Sequence, residues 1–228
     1  GVETKATLQE LAERIDQADA VVIGGGSGLS SAAGYDHYHW SPALSEALAP
    51  FREQYGFTSP LAGFYHCFSS YGEQWGYYSQ YIRFMWEAPT GKPYLDLQAL
   101  VADKSVFVLT TNVDQLVFFG YFPKKQICAF QGDFSYCQCS QPCLDDIWEN
   151  SELVKKLTGY LVGVRLPEEA VPRCLDCGRV LMPWVRDDTF LEGTLWQDNL
   201  HRYYRFLRRW IMDQTDKKSC CWNLAWVR

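Results

Sequence analysis

Residues 18–34 read ADAVVIGGGSGLSSAAG, and the fold class turns on them. Ala18 to Ile23 have the length and the aliphatic content of a short buried strand, which breaks into Gly24-Gly25-Gly26-Ser27-Gly28 and then into small residues from Leu29 to Gly34. The order is strand, glycine loop, helix. A loop of this kind lets the backbone approach a pyrophosphate while helix N–H groups face its charge. The spacing differs from the dinucleotide fingerprint, because Gly26-x-Gly28 is followed by Ser31 where a third glycine belongs. It is not a P-loop either, since the Lys and Ser/Thr of that motif are absent. On the loop alone, a phosphate cradle and a tight structural turn stand level.

Working outward, Thr7-Leu8-Gln9-Glu10 is a capping box that opens a first helix, with Leu11, Ala12 and Ile15 at helical spacing up to Gln17. Downstream, Tyr94 to Asp103 read as a helix, and Ser105 to Leu109 as a buried strand that ends in Thr110-Thr111-Asn112-Val113-Asp114. A further strand, Gln126 to Phe130, ends in Gln131-Gly132-Asp133, and Asp198 to Asp213 form a last amphipathic helix. Helices alternating with strands that end in polar residues predict a parallel α/β sheet with its ligand at the strand C-termini. Between Tyr35 and Ala88 aromatic residues dominate and only Arg52 and Arg83 are cationic. That segment reads as a helical insertion whose rings pack a core, not as a base-stacking surface.

Length and charge narrow the function. The 228 residues suit one large domain with a smaller one attached, and 47% hydrophobic content supplies a core without disulfides. Net charge is −6, with no long Lys/Arg run, which argues against nucleic acid as a partner. No stretch is long and apolar enough for a bilayer, and the first residues lack a leader pattern, so the expectation is a soluble cytoplasmic protein with no membrane partner.

Nine cysteines are present. Cys139-x-x-x-Cys143 and Cys174-x-x-Cys177 supply two knuckles whose four thiolates can close a tetrahedral zinc site, which would be structural because no position stays open. Cys137 is the alternative to Cys139, while Cys67, Cys128, Cys220 and Cys221 read as bystanders. At the strand ends, Thr111, Asn112, Asp114 and Gln131 could orient a carboxamide and stabilise positive charge on a sugar carbon. None of His37, His39, His66 and His201 falls on these ends, so each is expected at the surface or in the core.

The order of these motifs resembles the sirtuins. Gly26-Ser27-Gly28-Leu29-Ser30-Ser31-Ala32-Ala33-Gly34 is similar to their Gly-Ala-Gly-x-Ser-x-x-x-Gly, Thr110-Thr111-Asn112-Val113-Asp114 to Thr-Gln-Asn-Ile-Asp, and Gln131-Gly132 to His-Gly. The resemblance implies a Rossmann-like NAD-binding domain (residues 1–35, 89–132 and 183–228), a helical insertion (36–88) and a zinc-ribbon small domain (133–182). It also implies NAD consumed as a substrate in the cleft. Gly26, Ser27, Gly28, Ser30, Gly34, Tyr35, Thr111, Asn112 and Asp114 would contact the dinucleotide, with Asn112, Asp114 and Gln131 as the catalytic set.

Two departures steer the activity. Gln131 replaces the catalytic histidine, and an amide cannot accept a proton at neutral pH, so deacylation should be impaired. Asp36-His37-Tyr38-His39 replaces Pro-Asp-Phe-Arg in the lid. Gln131-Gly132-Asp133 and Cys139-Ser140-Gln141-Pro142-Cys143 resemble the microbial class M sirtuins, which are associated with macrodomain hydrolases and transfer ADP-ribose to an acceptor protein, including lipoyl-carrier proteins. The expected function is NAD-dependent protein ADP-ribosylation; a weak lysine deacylase and a non-catalytic NAD-binding module are the alternatives. Beyond Asp213 the family pattern calls for another strand and glycine turn, which Lys218 to Arg228 do not match. A frame shift near Lys218 could restore Leu-Leu-Leu-Glu-Leu-Gly-Val-Gly-Pro, so the expectation is an incomplete C-terminal part and weakened contact with the adenosine half of NAD.

Overall fold

A computed structural model describes residues 2–114 and 121–212; the expectations for the tail beyond Asp213, including Cys220 and Cys221, lie outside the described residues. Three strands, β1 (Ala20–Gly25), β2 (Ser105–Thr110) and β3 (Ile127–Ala129), form a parallel sheet in that order. Registers run from Ala20 opposite Ser105 to Gly25 opposite Thr110, and from Val108 opposite Ile127 to Thr110 opposite Ala129. Strand alternation divides the side chains between two faces. Val21, Ile23, Val106 and Val108 enter the main core, while Phe107 meets Tyr203 and Phe206 of α9 (Thr194–Leu207) at 5.4 and 5.6 Å between ring centroids.

The first helix, α1 (Val2–Gln17), starts before Thr7, so the expected capping box lies inside it and not at its N-terminus. Between β1 and β2 lie α2 (Ser27–Ala32), α3 (Pro42–Ala47), α4 (Ala49–Tyr55), α5 (Pro60–Phe64), α6 (Tyr71–Glu87) and α7 (Lys92–Leu100). The last expected helix ends earlier as regular α-helix, at Leu207, and continues as a π-helical turn over Arg208–Met212.

A second, antiparallel sheet is built from β4 (Gly132–Cys139), β5 (Ile147–Glu149) and β6 (Leu181–Val185) in the order β5-β4-β6, with α8 (Ser151–Thr158) beside it. The chain passes from the first sheet to the second through Phe130 and Gln131 alone. Gly132 makes the passage possible: its φ is +88°, and a Cβ there would lie 2.0 Å from the Trp184 carbonyl oxygen.

Helix α6 ties the two sheets together. Ser70 caps it, accepting the Glu73 N–H at 3.1 Å, and Trp75, Tyr77, Tyr78, Tyr81, Ile82 and Met85 are buried along it. Those rings fill the core as the sequence implied. The helix packs on α3, α5, α8 and β4. The Trp75 indole N–H donates to the Leu181 carbonyl at 2.8 Å, and that of Trp86 to Asn150 at 2.9 Å, whose amide donates to the Phe134 carbonyl at 2.7 Å. One continuous cluster of buried apolar residues therefore runs from Val21 and Ile127 through Tyr81 to Phe134, Val154 and Val180.

Close approach of α6 to the strap at residues 164–166 depends on glycine. A Cβ on Gly76 would sit 2.3 Å from the Val164 carbonyl oxygen and 3.0 Å from the Arg165 Cα, both backbone atoms with little freedom to yield. Gly76→Ala should cost about 1–3 kcal/mol of stability by overpacking, read as a fall of several degrees in Tm; an unchanged Tm would show that the strap moves freely.

Candidate active site and metal centre

Parallel strands deliver their C-terminal residues to one edge of a sheet, and the register here does so for all three motifs. Gly25 pairs with Thr110, which pairs with Ala129. Gly26, the 111–114 segment and Gln131 therefore follow from neighbouring strand ends. Thr110 knits the edge: its hydroxyl donates to the Gly25 carbonyl at 3.1 Å and accepts the Asn112 N–H at 2.9 Å. The Asn112 amide donates to the Gly26 carbonyl at 2.9 Å. Tyr35 is buried, and its N–H donates to the Ser30 carbonyl at 2.9 Å, while Gly34 takes a φ of +100° to turn the chain out of α2.

Asp114 is the centre of the site. Its side chain is 2% exposed, and one oxygen, Oδ2, accepts the Ser30 hydroxyl and lies 2.9 Å from His37 Nε2. The other oxygen, Oδ1, is buried and has no hydrogen-bond partner among the described residues. Ser30 is 1% exposed. Its hydroxyl faces the carboxylate, which leaves Ser27 as the exposed hydroxyl of the glycine loop. The Tyr94 hydroxyl is buried with no hydrogen-bond partner among the described residues, and burial, reinforced by the Asp114 charge, holds it protonated.

The expectation that every histidine stands away from the strand ends fails at His37. Its Nδ1 is hydrogen-bonded to the Tyr81 hydroxyl, and the two rings meet edge-on at 5.8 Å. Sequence reasoning missed this residue because the partners lie 44 and 77 positions away; the departure from the family pattern at Asp36 to His39 was the available signal. Beside the third strand end, Gln131 is partly exposed, and its carbonyl accepts the Arg186 N–H at 3.0 Å. Arg186 also donates from its guanidinium to the Phe130 carbonyl at 2.9 Å and covers the Phe190 ring at 4.4 Å, so it clamps the turn that carries Gln131.

Next to Gln131, Asp133 is 1% exposed and accepts the N–H and hydroxyl of Ser135. Burial pushes its carboxyl up to about 6, against the downward pull of those bonds. A carboxyl whose folded pKa exceeds its unfolded value binds more protons in the fold, so stability falls as pH rises from about 4 through about 6. Urea unfolding of Asp133→Asn should lack that part of the slope; identical slopes in both proteins would contradict it.

The cysteine centre assembles as the spacing implied. The Sγ atoms of Cys139, Cys143, Cys174 and Cys177 all lie within 4.8 Å of one another, with Cys139–Cys177 at 3.5 Å and Cys143–Cys174 at 3.6 Å. Zn–S bonds of about 2.3 Å in a tetrahedron put sulfurs about 3.8 Å apart, so the donor set fits zinc. Cys139 ends β4, and the second knuckle turns at Gly178, φ +73°, whose N–H donates to the Cys174 carbonyl at 2.9 Å. The Arg179 N–H draws the Cys177 thiol down, while burial raises Cys139 and the neighbouring Cys174 thiol raises Cys143. Cys137 is excluded from the set: it is fully buried and receives the Asn150 amide at 3.5 Å. Four protein thiolates leave no site for substrate, so a zinc here would hold the second sheet together. Cys174→Ser should lose the metal and much of the stability; metal analysis finding no zinc in folded wild-type protein would remove the assignment.

Comparison with solved structures decides the fold. The chain superposes on a Sir2 homologue bound to ADP-ribose with TM-score 0.54 and 19% identity, covering 88% of this chain and 70% of that one. A Sir2 homologue–NAD complex matches with TM-score 0.52 and 19% identity, over 88% and 68%. The chain has the Sir2 fold. No family model matches it. Among curated proteins, a Staphylococcus aureus protein ADP-ribosyltransferase is 30% identical over 198 residues, 86% of this chain and 62% of its own length. A probable bifunctional ADP-ribose hydrolase/ADP-ribosyltransferase of Fusarium oxysporum f. sp. cubense is 26% identical over 201 residues, 85% of this chain and 33% of its own. The Sir2-fold chain thus spans less than two thirds of either relative. In this fold the parallel sheet is the Rossmann-like part, and β4, β5 and β6 with the four cysteines form the smaller zinc-ribbon part.

Proposed function

We propose that this protein is an NAD-dependent protein ADP-ribosyltransferase. The observation that carries the reading is Asp114: a buried carboxylate at the strand ends, beside Asn112 and the glycine loop, with one oxygen bonded inside the fold and the other buried without a donor. A nicotinamide carboxamide or a ribose hydroxyl supplies such a donor. Both curated relatives are named for ADP-ribosyl transfer, which agrees with this chemistry.

In the proposed reaction, the bond between the ribose carbon and the nicotinamide nitrogen breaks, and its electron pair leaves with nicotinamide. The acceptor side chain forms a new bond to the same carbon and releases its proton to solvent. Asn112 and Asp114 hold the nicotinamide riboside half; Gly26, Ser27, Gly28 and Gly34 with Thr111 and Tyr35 line the approach for the phosphates. Asp114 also stabilises the positive charge that develops on the sugar. Gln131 positions the ribose hydroxyls without accepting a proton, which disfavours lysine deacylation. The parallel-sheet part, the 36–88 insertion and the 133–182 zinc part would each contribute to this site while sharing one core. The partner is an acceptor protein, with lipoyl-carrier proteins and a macrodomain hydrolase as the class M resemblance suggests. No described helix is long and apolar enough to cross a membrane, and the free thiols agree with a cytoplasmic setting.

The test is mass spectrometry of proteins in cell lysate after incubation with the protein and isotope-labelled NAD. ADP-ribosylated acceptors should appear together with released nicotinamide, and Asn112→Ala should reduce both about 100-fold or more, as for loss of a group acting on the reacting centre. Robust deacetylation of an acetylated peptide without transfer of label would assign the chain to the deacylases instead.

A further inference from the structure

We infer that His37 is a positioning residue, which sets the orientation of the Asp114 carboxylate and couples it to the inserted helix α6. The inference rests on the proposed NAD reaction at this site. Three buried or nearly buried groups form a chain: Tyr81, fully buried on α6; His37, 11% exposed in its side chain; and Asp114, 2% exposed. Burial keeps the Tyr81 hydroxyl protonated, and it is hydrogen-bonded to His37 Nδ1. A carboxylate oxygen can only accept, so the proton of this contact is on His37 Nε2, 2.9 Å from Asp114 Oδ2. Ser30 binds the same oxygen.

Two donors on Oδ2 favour one orientation of the carboxylate about its Cβ–Cγ bond, and Oδ1 is left as the acceptor without a partner among the described residues. Without the imidazole, the group would keep only the Ser30 bond and could exchange its two oxygens. The imidazole does not itself serve as the base of the reaction. Both nitrogens are occupied, and the hydroxyl at the far end of the chain is sealed from solvent. This gives the 36–88 segment a part in the site: its lid loop supplies the histidine and its longest helix the tyrosine that fixes the ring.

Reach separates positioning from general support of the fold. Glutamine places its amide nitrogen near the position of histidine Nε2, and asparagine falls short of it. Nicotinamide release from NAD should therefore show kcat lowered about 10- to 100-fold in His37→Asn, as expected for a misplaced catalytic group, with KM for NAD changed much less. His37→Gln should keep kcat within a few fold of wild type. Equal kcat in the two variants, whether both normal or both low, overturns the inference. If either variant does not fold, Tyr81→Phe decides: it keeps the ring and removes the hydroxyl that holds the imidazole, so kcat should fall severalfold, and an unchanged kcat overturns the inference. Wild-type protein that releases no nicotinamide is a separate outcome, which removes the proposed function and this inference with it.

Discussion

A carboxylate out of contact with water is costly unless the fold supplies its partners, and Asp114 obtains its partners from separate stretches of chain. Ser30 comes from the helix after the glycine loop, and His37 from the loop beyond it, braced by Tyr81 on α6. Each stretch is positioned by something else: α2 by the end of β1, Asp114 by the end of β2, α6 by its bonds to the second sheet. Satisfying one buried charge thus requires both sheets and the insertion in register. The unsatisfied oxygen is the counterpart of that order, since a preorganised acceptor is what a transferring sugar or its leaving group can use.

The two sheets meet where chemistry and architecture coincide. Gln131 lies between β3 and β4, Gly132 admits the close pass under Trp184, Arg186 clamps the turn, and Asp133 is buried immediately after. A change in the zinc-binding part would therefore reach Gln131 through β4, which starts at Gly132 and ends at the metal ligand Cys139. The thiolate cluster is remote from the reacting centre in role, yet it anchors the strand that begins directly after the site's third residue.

Much of this was legible in the sequence because its signals are local. Aliphatic runs ending in glycines or in Thr-x-Asn-x-Asp mark parallel strand ends, and paired cysteines mark knuckles, whatever the rest of the chain does. What was not legible depends on distant partners. The short strands β5 and β6 take their shape from pairing with β4 and not from a signal in their own residues. His37 looks like a solvent-facing histidine until Asp114 and Tyr81 are brought to it. The glycines at 72 and 76 carried no helical signal, because their reason is the carbonyl oxygens of Leu166 and Val164 lying against α6.

The most direct measurement is a crystal structure with a non-hydrolysable NAD analogue, in which the nicotinamide–ribose bond cannot break. The account predicts the analogue's nicotinamide riboside half at the three strand ends, with a ligand N–H or O–H donating to Asp114 Oδ1 and Oδ2 still held by Ser30 and His37. An analogue bound elsewhere, or bound with Asp114 Oδ1 untouched, would contradict it.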